Sequence, residues 1–306
     1  MKTMGVLGGI SPQATMDFEA RVHRVSQRLI PQERNAGYPP MVVWYHRRLP
    51  VRVGGDGRPL VPREIDPQLV EAAGWLGQIV DFLVTPCNSA HVGLRDIAAA
   101  GGCPVLSMID LVVEDVARRG WRSAGVLGFG GAPALYLDPL RARGLRCEVI
   151  DAALQAPLDA AILTLMEGRE GAAEREAARA AVETVRRRGV DGVVLGCTEI
   201  PLLLGEEAEA KDLLNPVALL ADAAVRFAIG EPAARWREAT GRSIRLPCSS
   251  TAASQPGCTS VLASCSSMTA GPATTLPRLS FVRSRTSVFR RTLAGFPSTP
   301  PNHTSR

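Results

Sequence analysis

Val80-Asp81-Phe82-Leu83-Val84-Thr85-Pro86-Cys87-Asn88-Ser89-Ala90-His91 and Val190-Asp191-Gly192-Val193-Val194-Leu195-Gly196-Cys197-Thr198-Glu199-Ile200-Pro201 follow one local frame, 110 positions apart. In each, an apolar run of strand length led by Val-Asp ends in a tight Pro-Cys or Gly-Cys step, and small polar residues then open a helical pattern. That order predicts each sulfur at the C-terminal edge of a sheet and beside a helix start, where backbone N–H groups and the helix dipole favour a thiolate. A free cysteine is most often a small buried hydrophobe. Packing, however, does not require the same residue after each of two strands, whereas proton chemistry on two faces of one substrate does.

Around these stretches, apolar runs of strand length alternate with amphipathic stretches of helix length from Met4 to Ile229, the pattern of a parallel sheet covered on both faces. Strands are predicted at Met4–Leu7, Met41–Tyr45, Phe82–Thr85, Val105–Leu106, Ala124–Leu127, Cys147–Val149 and Gly192–Leu195, and helices near Pro12–Arg28, Pro67–Leu76, Ala90–Ala99, Met108–Arg119, Ala134–Arg143, Leu158–Met166, Gly171–Arg188 and Pro216–Ala228. The strand–helix order up to about residue 107 is echoed from 108 to 213. The expected fold is therefore α/β with two similar halves, each a mostly parallel sheet flanked by helices: residues 1–107 plus 214–230, and residues 108–213.

The formal net charge of +5 is unevenly placed. Residues 239–306 hold eight Arg and no acidic residue, so residues 1–238 carry 27 basic and 30 acidic groups, a net of −3. A nucleic-acid partner is not expected for the globular part. Ser, Thr and Pro make up 29 of the 64 residues from Ser243 onward, with no sustained period, which reads as a disordered tail, the alternatives being a binding arm for acidic partners and a shifted frame. No apolar run approaches a membrane span, and the first residues enter a strand pattern at once, so the expected location is the cytoplasm. Seven cysteines without secretory context or zinc spacing read neither as a disulfide framework nor as a metal site. Cys103 and Cys147 lack a comparable helix-start context and read as packing residues.

A third box, Gly5-Val6-Leu7-Gly8-Gly9-Ile10-Ser11-Pro12-Gln13-Ala14-Thr15, couples the first strand to a glycine turn and a helix start, with Ser11 as N-cap and Pro12 at N1. Its glycines lack the G-x-G-x-x-G spacing of a dinucleotide site, and a small carboxylate is the better guest. His91 lies one helical turn beyond Cys87 and either orients that loop or is a satisfied helix histidine.

Together the two cysteine boxes and the Gly8–Thr15 box resemble the aspartate/glutamate racemase family over roughly residues 1–230. Glu199 in the second box is closer to the aspartate racemase branch. The resemblance implies a pseudo-symmetric pair of α/β domains with the active site in the cleft between them, no cofactor, no metal, an amino-acid substrate, and Cys87 and Cys197 as the two acid/base groups. It places Ser11, Thr15, Asn88, Ser89 and Thr198 on the substrate's carboxylate and amino groups. Glu199 is a candidate for the ammonium and Arg47 for a side-chain carboxylate. A homodimer is the common assembly of such families.

One stretch departs from the family pattern. After Leu127 the chain reads Gly128-Phe129-Gly130-Gly131-Ala132-Pro133-Ala134-Leu135-Tyr136, without the usual turn hydroxyl, and the N–H groups of Gly130 and Gly131 are candidates for an anion nest instead. Related chemistries of similar folds, hydantoin racemisation, arylmalonate decarboxylation and maleate isomerisation, stay open at this stage, as does a binding protein without turnover.

Overall fold

The computed structural model describes residues 1–55, 59–130 and 134–231. The tail expected from residue 239 lies outside these described residues. Two all-parallel sheets organise the chain. The first, in the order β2-β1-β3, consists of β1 (Met4–Gly8), β2 (Met41–Tyr45) and β3 (Phe82–Val84), with Met4 opposite Met41 on one side and Phe82 on the other. The second comprises β4 (Ser123–Leu127), β5 (Arg146–Glu148), β6 (Gly192–Leu195) and β7 (Leu213–Leu214) in the order β5-β4-β6-β7.

Both faces of each sheet are covered, which is why the central strands read as unbroken apolar runs. Alternate residues go to opposite sides. Met4, Val6, Phe82 and Val84 pack with α1 (Pro12–Leu29) and α9 (Pro216–Ala228), while Leu7 and Leu83 pack with α2 (Pro67–Leu76) and α3 (Leu94–Gly101). In the second sheet Val193 and Leu195 face α6 (Ala152–Met166), α7 (Ala172–Arg186) and α8 (Ile200–Leu204), and Val194 faces α4 (Met108–Arg118) and α5 (Ala134–Arg141). Phe18, Phe82 and Tyr136 are fully buried. Each such side chain contributes about 1.5 to 3 kcal/mol by leaving water.

The helices start where the sequence supplies caps. Ser11, Asp66, Ser107, Asp151 and Asn215 each accept a first-turn N–H through the side chain, and proline follows directly at Pro12, Pro67 and Pro216.

The internal echo is structural. Leu83 makes a parallel bridge to Val105 just before the Ser107 cap of α4, and β6 pairs with β7 just before the Asn215 cap of α9. The two lead-in aspartates do the same work: Asp81 accepts the Thr3 N–H at 2.6 Å, and Asp191 accepts the Arg122 and Ser123 N–H groups at 2.7 and 2.8 Å. Each fastens the start of a cysteine strand to the start of its neighbour.

Candidate active site

The first sheet delivers its Gly8–Thr15 box to the C-terminal edge of β1. Gly9 has φ of 75°, and a Cβ there would lie 2.5 Å from the Tyr45 backbone, so only glycine closes this turn against β2. Ser11 is buried and its hydroxyl accepts from Ala14 N. Thr15 is also buried; its hydroxyl donates to Ser11 O at 3.0 Å and accepts from Gly9 N at 2.8 Å. Thr15 therefore holds the glycine turn in shape. Gln13 reaches across to the other half, donating to the Leu165 and Met166 carbonyls at the end of α6 at 3.2 and 3.3 Å, and its buried Oε1 has no partner among the described residues.

The two cysteine boxes occupy matching places. From Phe82 to Asn88 and from Gly192 to Ile200 the chain is buried except at Cys87 and Cys197, which keep partial exposure. After Cys87 the chain turns into a short 3-10 helix, Ser89–Gly93, and after Cys197 into α8. Backbone N–H groups of Ala90 and Ser89 favour the Cys87 thiolate, as the sequence frame led one to expect, but burial outweighs them. Burial, with a further push from the Glu199 charge, raises the Cys87 thiol to about 12. Cys197 is raised well above the ordinary thiol range, first by burial, then by the charge of Glu199 and its hydrogen bond, and in smaller part by Cys87. Both groups therefore rest as thiols. The expectation of a helix start sufficient to lower either value is corrected: the hydration each sulfur loses among apolar strands outweighs what the backbone N–H groups return.

The charge of Cys87 is the smallest contribution to the shift at Cys197. Tyr136 on α5 ties the boxes together. Its hydroxyl donates to Asn88 Oδ1, and its ring lies 3.1 Å from where a Cβ on Gly196 would sit. Glycine is thus required directly before Cys197, because that same Cβ would also meet Leu127 O at 2.6 Å. With Oδ1 engaged, the buried Asn88 Nδ2 is left without a partner among the described residues, as is Thr85 Oγ1 two positions before Cys87. Such donors suit a carboxylate guest.

Glu199 is buried and accepts on Oε2 both from Cys197 Sγ at 2.9 Å and from Thr198 Oγ1 at 3.0 Å. The hydroxyl of Thr198 is therefore engaged with Glu199. Ser89 is half-buried beside Asn88. His91 is buried; the ring contacts Cys87 O through Nδ1 at 2.9 Å and accepts Met108 N–H on Nε2 at 2.9 Å, which makes it the Nδ1–H tautomer. Burial lowers its pKa to about 4, so it stays neutral and orients the Cys87 loop.

Two expected sites look different in three dimensions. Arg47 is exposed and stacks on the Tyr45 ring at 4.7 Å, on the strand beside the Gly9 turn. Gly130 N–H donates to Asp159 Oδ1 at 3.0 Å, so a carboxylate of the chain already fills half of the proposed nest; Gly131 lies outside the described residues. Gln13, Thr85 and Tyr136 were not candidate site residues. Gln13 lay inside the quoted box, but Tyr136 is 48 positions from its Asn88 partner, and no local pattern joins them. Among the described residues no cluster of His, Cys, Asp and Glu suits a metal ion, and no helix is long and apolar enough to cross a membrane.

A family model described as Asp/Glu/Hydantoin racemase matches residues 7–225. The chain is 28% identical over 144 residues to the broad specificity amino-acid racemase RacX of Bacillus subtilis (strain 168), covering 46% of this chain and 61% of that protein. It is 31% identical over 149 residues to the glutamate racemase of Synechococcus sp. (strain CC9605), covering 47% and 53%. The matches thus span less than two thirds of either relative. Among solved structures, the Picrophilus torridus aspartate racemase shares the fold with a TM-score of 0.59 at 21% identity, over 78% of this chain and 96% of the other.

Proposed function

The chain belongs to the Asp/Glu/Hydantoin racemase family, and from that premise we propose that it inverts the α-carbon of an amino acid, with Cys87 and Cys197 as the paired acid and base. Inversion without a cofactor requires removal of a weakly acidic C–H proton on one face and delivery of another on the opposite face. Two side chains on opposite walls of one site meet that requirement. The carrying observation is that two cysteines stand in matched frames whose loops Tyr136 joins: its hydroxyl donates to Asn88, directly after Cys87, and its ring lies against Gly196, directly before Cys197.

In this reading Asn88 Nδ2 and Thr85 Oγ1, buried and unpartnered, donate to the substrate carboxylate and to the charge that develops on it as the proton leaves. The same reading assigns Ser11 and Ser89 to the substrate as well. Each positioned acid or base is worth about 10² to 10⁴ in rate. The substrate is an amino acid of aspartate or glutamate type, screened as D- and L-aspartate, D- and L-glutamate and neutral amino acids by chiral chromatography.

Heavy water supplies the test. The protein is expected to wash deuterium into the α-position of its substrate as it racemises it. Cys87→Ser and Cys197→Ser are each expected to lower racemisation by about 10²-fold or more. Unimpaired interconversion by either variant refutes paired proton transfer.

A further inference from the structure

We propose that the open cleft between the chain segment after β2 and the turn after Cys87 is a binding site for a neutral α-amino acid with an apolar side chain, such as leucine. The site is separate from the two-cysteine reading above and does not depend on it.

After β2 the chain folds back on itself as an arm: Val51 bridges Ile65 in antiparallel fashion, Arg52 N–H donates to Glu64 O at 2.8 Å, and Asp66 N–H donates to Pro50 O at 2.9 Å. The arm packs directly on the turn after Cys87, because a Cβ on Gly93 would lie 2.3 Å from Ile65 Cβ. Arm, turn and the starts of α2 and α3 border a cleft of about 530 Å³, within the range of about 300 to 1,000 Å³ that small-molecule sites occupy. Its apolar floor is half-buried and comes from Ile65, Val70 and Val92. Two opposite charges face it without partners. Arg63 of the arm and Asp96 in the first turn of α3 are exposed, and form no ion pair with each other or with any other described residue. The remaining charged residues of the lining, Arg52 and Glu64, satisfy each other at 2.9 Å.

Two arginines and two carboxylates line the cleft, so it carries no net charge. Its guest carries none either. A guanidinium takes a carboxylate through paired N–H donors, a carboxylate takes an ammonium, and the apolar floor takes a hydrocarbon side chain out of water. A neutral amino acid offers all three within one small molecule. A dicarboxylate or a phosphate ester would set a second negative charge beside Glu64 or Asp96, and an amine alone would leave Arg63 unanswered. The cleft thus differs in chemistry from a site for an aspartate or glutamate side chain. Occupancy reaches the Cys87 turn, since Val92 directly follows His91, whose ring contacts Cys87 O, and Ile65 packs on the same core as Cys87. A guest that binds arm and turn together suppresses their local opening.

Titration calorimetry of the full chain with L-leucine and with D-leucine is expected to give a Kd of about 1 mM or tighter for at least one hand. Arg63→Gln and Asp96→Asn, both at exposed positions, are each expected to weaken that binding about tenfold or more with unchanged thermal melts. N-acetylleucine, which lacks the ammonium, and leucine methyl ester, which lacks the carboxylate, are expected to lose about as much. Aspartate is expected to show no binding that either variant removes. With leucine at about ten times its Kd, amide hydrogen exchange over residues 60–67 and 92–96 is expected to slow about tenfold. Absence of binding up to about 20 mM overturns the proposal. So does leucine binding that both variants keep in full, that leaves exchange in both stretches unchanged, or that the acetyl or ester compound reproduces. Binding and exchange are read without turnover, so these outcomes stand apart from any result on the paired cysteines.

Discussion

Tyr136 shows how one neutral side chain organises a polar site. A fully buried phenol needs a partner for its hydroxyl, and here burial, reinforced by the nearby sulfurs of Cys197 and Cys87, holds it protonated well above the ordinary phenol value. It therefore donates, and the group it meets on Asn88 must be the carbonyl oxygen. That single bond fixes which way the amide faces and leaves the NH₂ for a guest. Tyr136→Phe is expected to cost about 1 kcal/mol of stability and to let the amide turn over. Since the contact also meets the charge that develops on the carboxylate in the transition state, kcat/KM is expected to fall about tenfold and kcat with it; initial rates check it, and an unchanged kcat/KM would detach Asn88 from the substrate. At this scale the sequence displayed the cysteines, Asn88 and Glu199, because each stands in a short frame with its own local chemistry. It did not display the orientation of Asn88 or the raised thiols, since both depend on groups brought in from far along the chain.

Elements were legible to the degree that their signals are local. The helix from Pro67 to Leu76 has its cap, its proline and its apolar face in sequence, and its ends fall where those signals put them. The helix expected from Leu158 begins at Ala152 instead: Asp151 caps it, and Pro157, which argues against a helix interior, is tolerated in the early turns. Residues 90–99 were expected as one helix, but the structure has a 3-10 turn, Ser89–Gly93, and then α3. β7, of two residues, is too short for any period to show. His91 couples two elements, the turn after Cys87 and the first N–H of α4, and this coupling depends on pH. Its pKa is lowered from 6.5 to about 4 by burial, so between those values the unfolded chain binds the extra proton and the folded chain does not. The stabilisation is complete above about pH 6.5 and is lost as pH falls toward about 4, in total about 3 kcal/mol. Thermal melts over that window are expected to fall more steeply for wild type than for His91→Gln. Parallel curves would mean that the ring takes up its proton without disturbing the loop.

Over the whole molecule, two sheets and their helices form one body because the connecting helices do not stay with the sheet that precedes them. Met108 and Leu111 of α4 pack in the core of the first sheet while Val112, Val113 and Val116 pack in that of the second, and α9, which follows β7, returns to lie on α1. That crossing makes a firm base on one side. The opposite side, where the glycine turn meets the end of α6, is spanned by the thin bonds from Gln13 to Leu165 O and Met166 O, and by the partly exposed ion pair of Arg21 with Glu209 at 3.0 Å. Ion pairs of that kind contribute little, which leaves Gln13, together with the Tyr136–Asn88 bond, as a specific contact between the halves. Replacing it with leucine removes the two donated bonds and also the buried Oε1 that has no partner, so the effects on stability oppose each other and the melting temperature is expected to change little. In the proposed mechanism, alignment of the two cysteines on either face of one carbon is far more sensitive, because a displacement of about 1 Å costs about 10²-fold in rate. Gln13→Leu is therefore expected to lower kcat/KM by about ten- to a hundredfold at nearly wild-type stability, measured by racemisation rates beside thermal melts. If kcat/KM holds, the base formed by α4 and α9 sets the spacing of the cysteines without help from the open side.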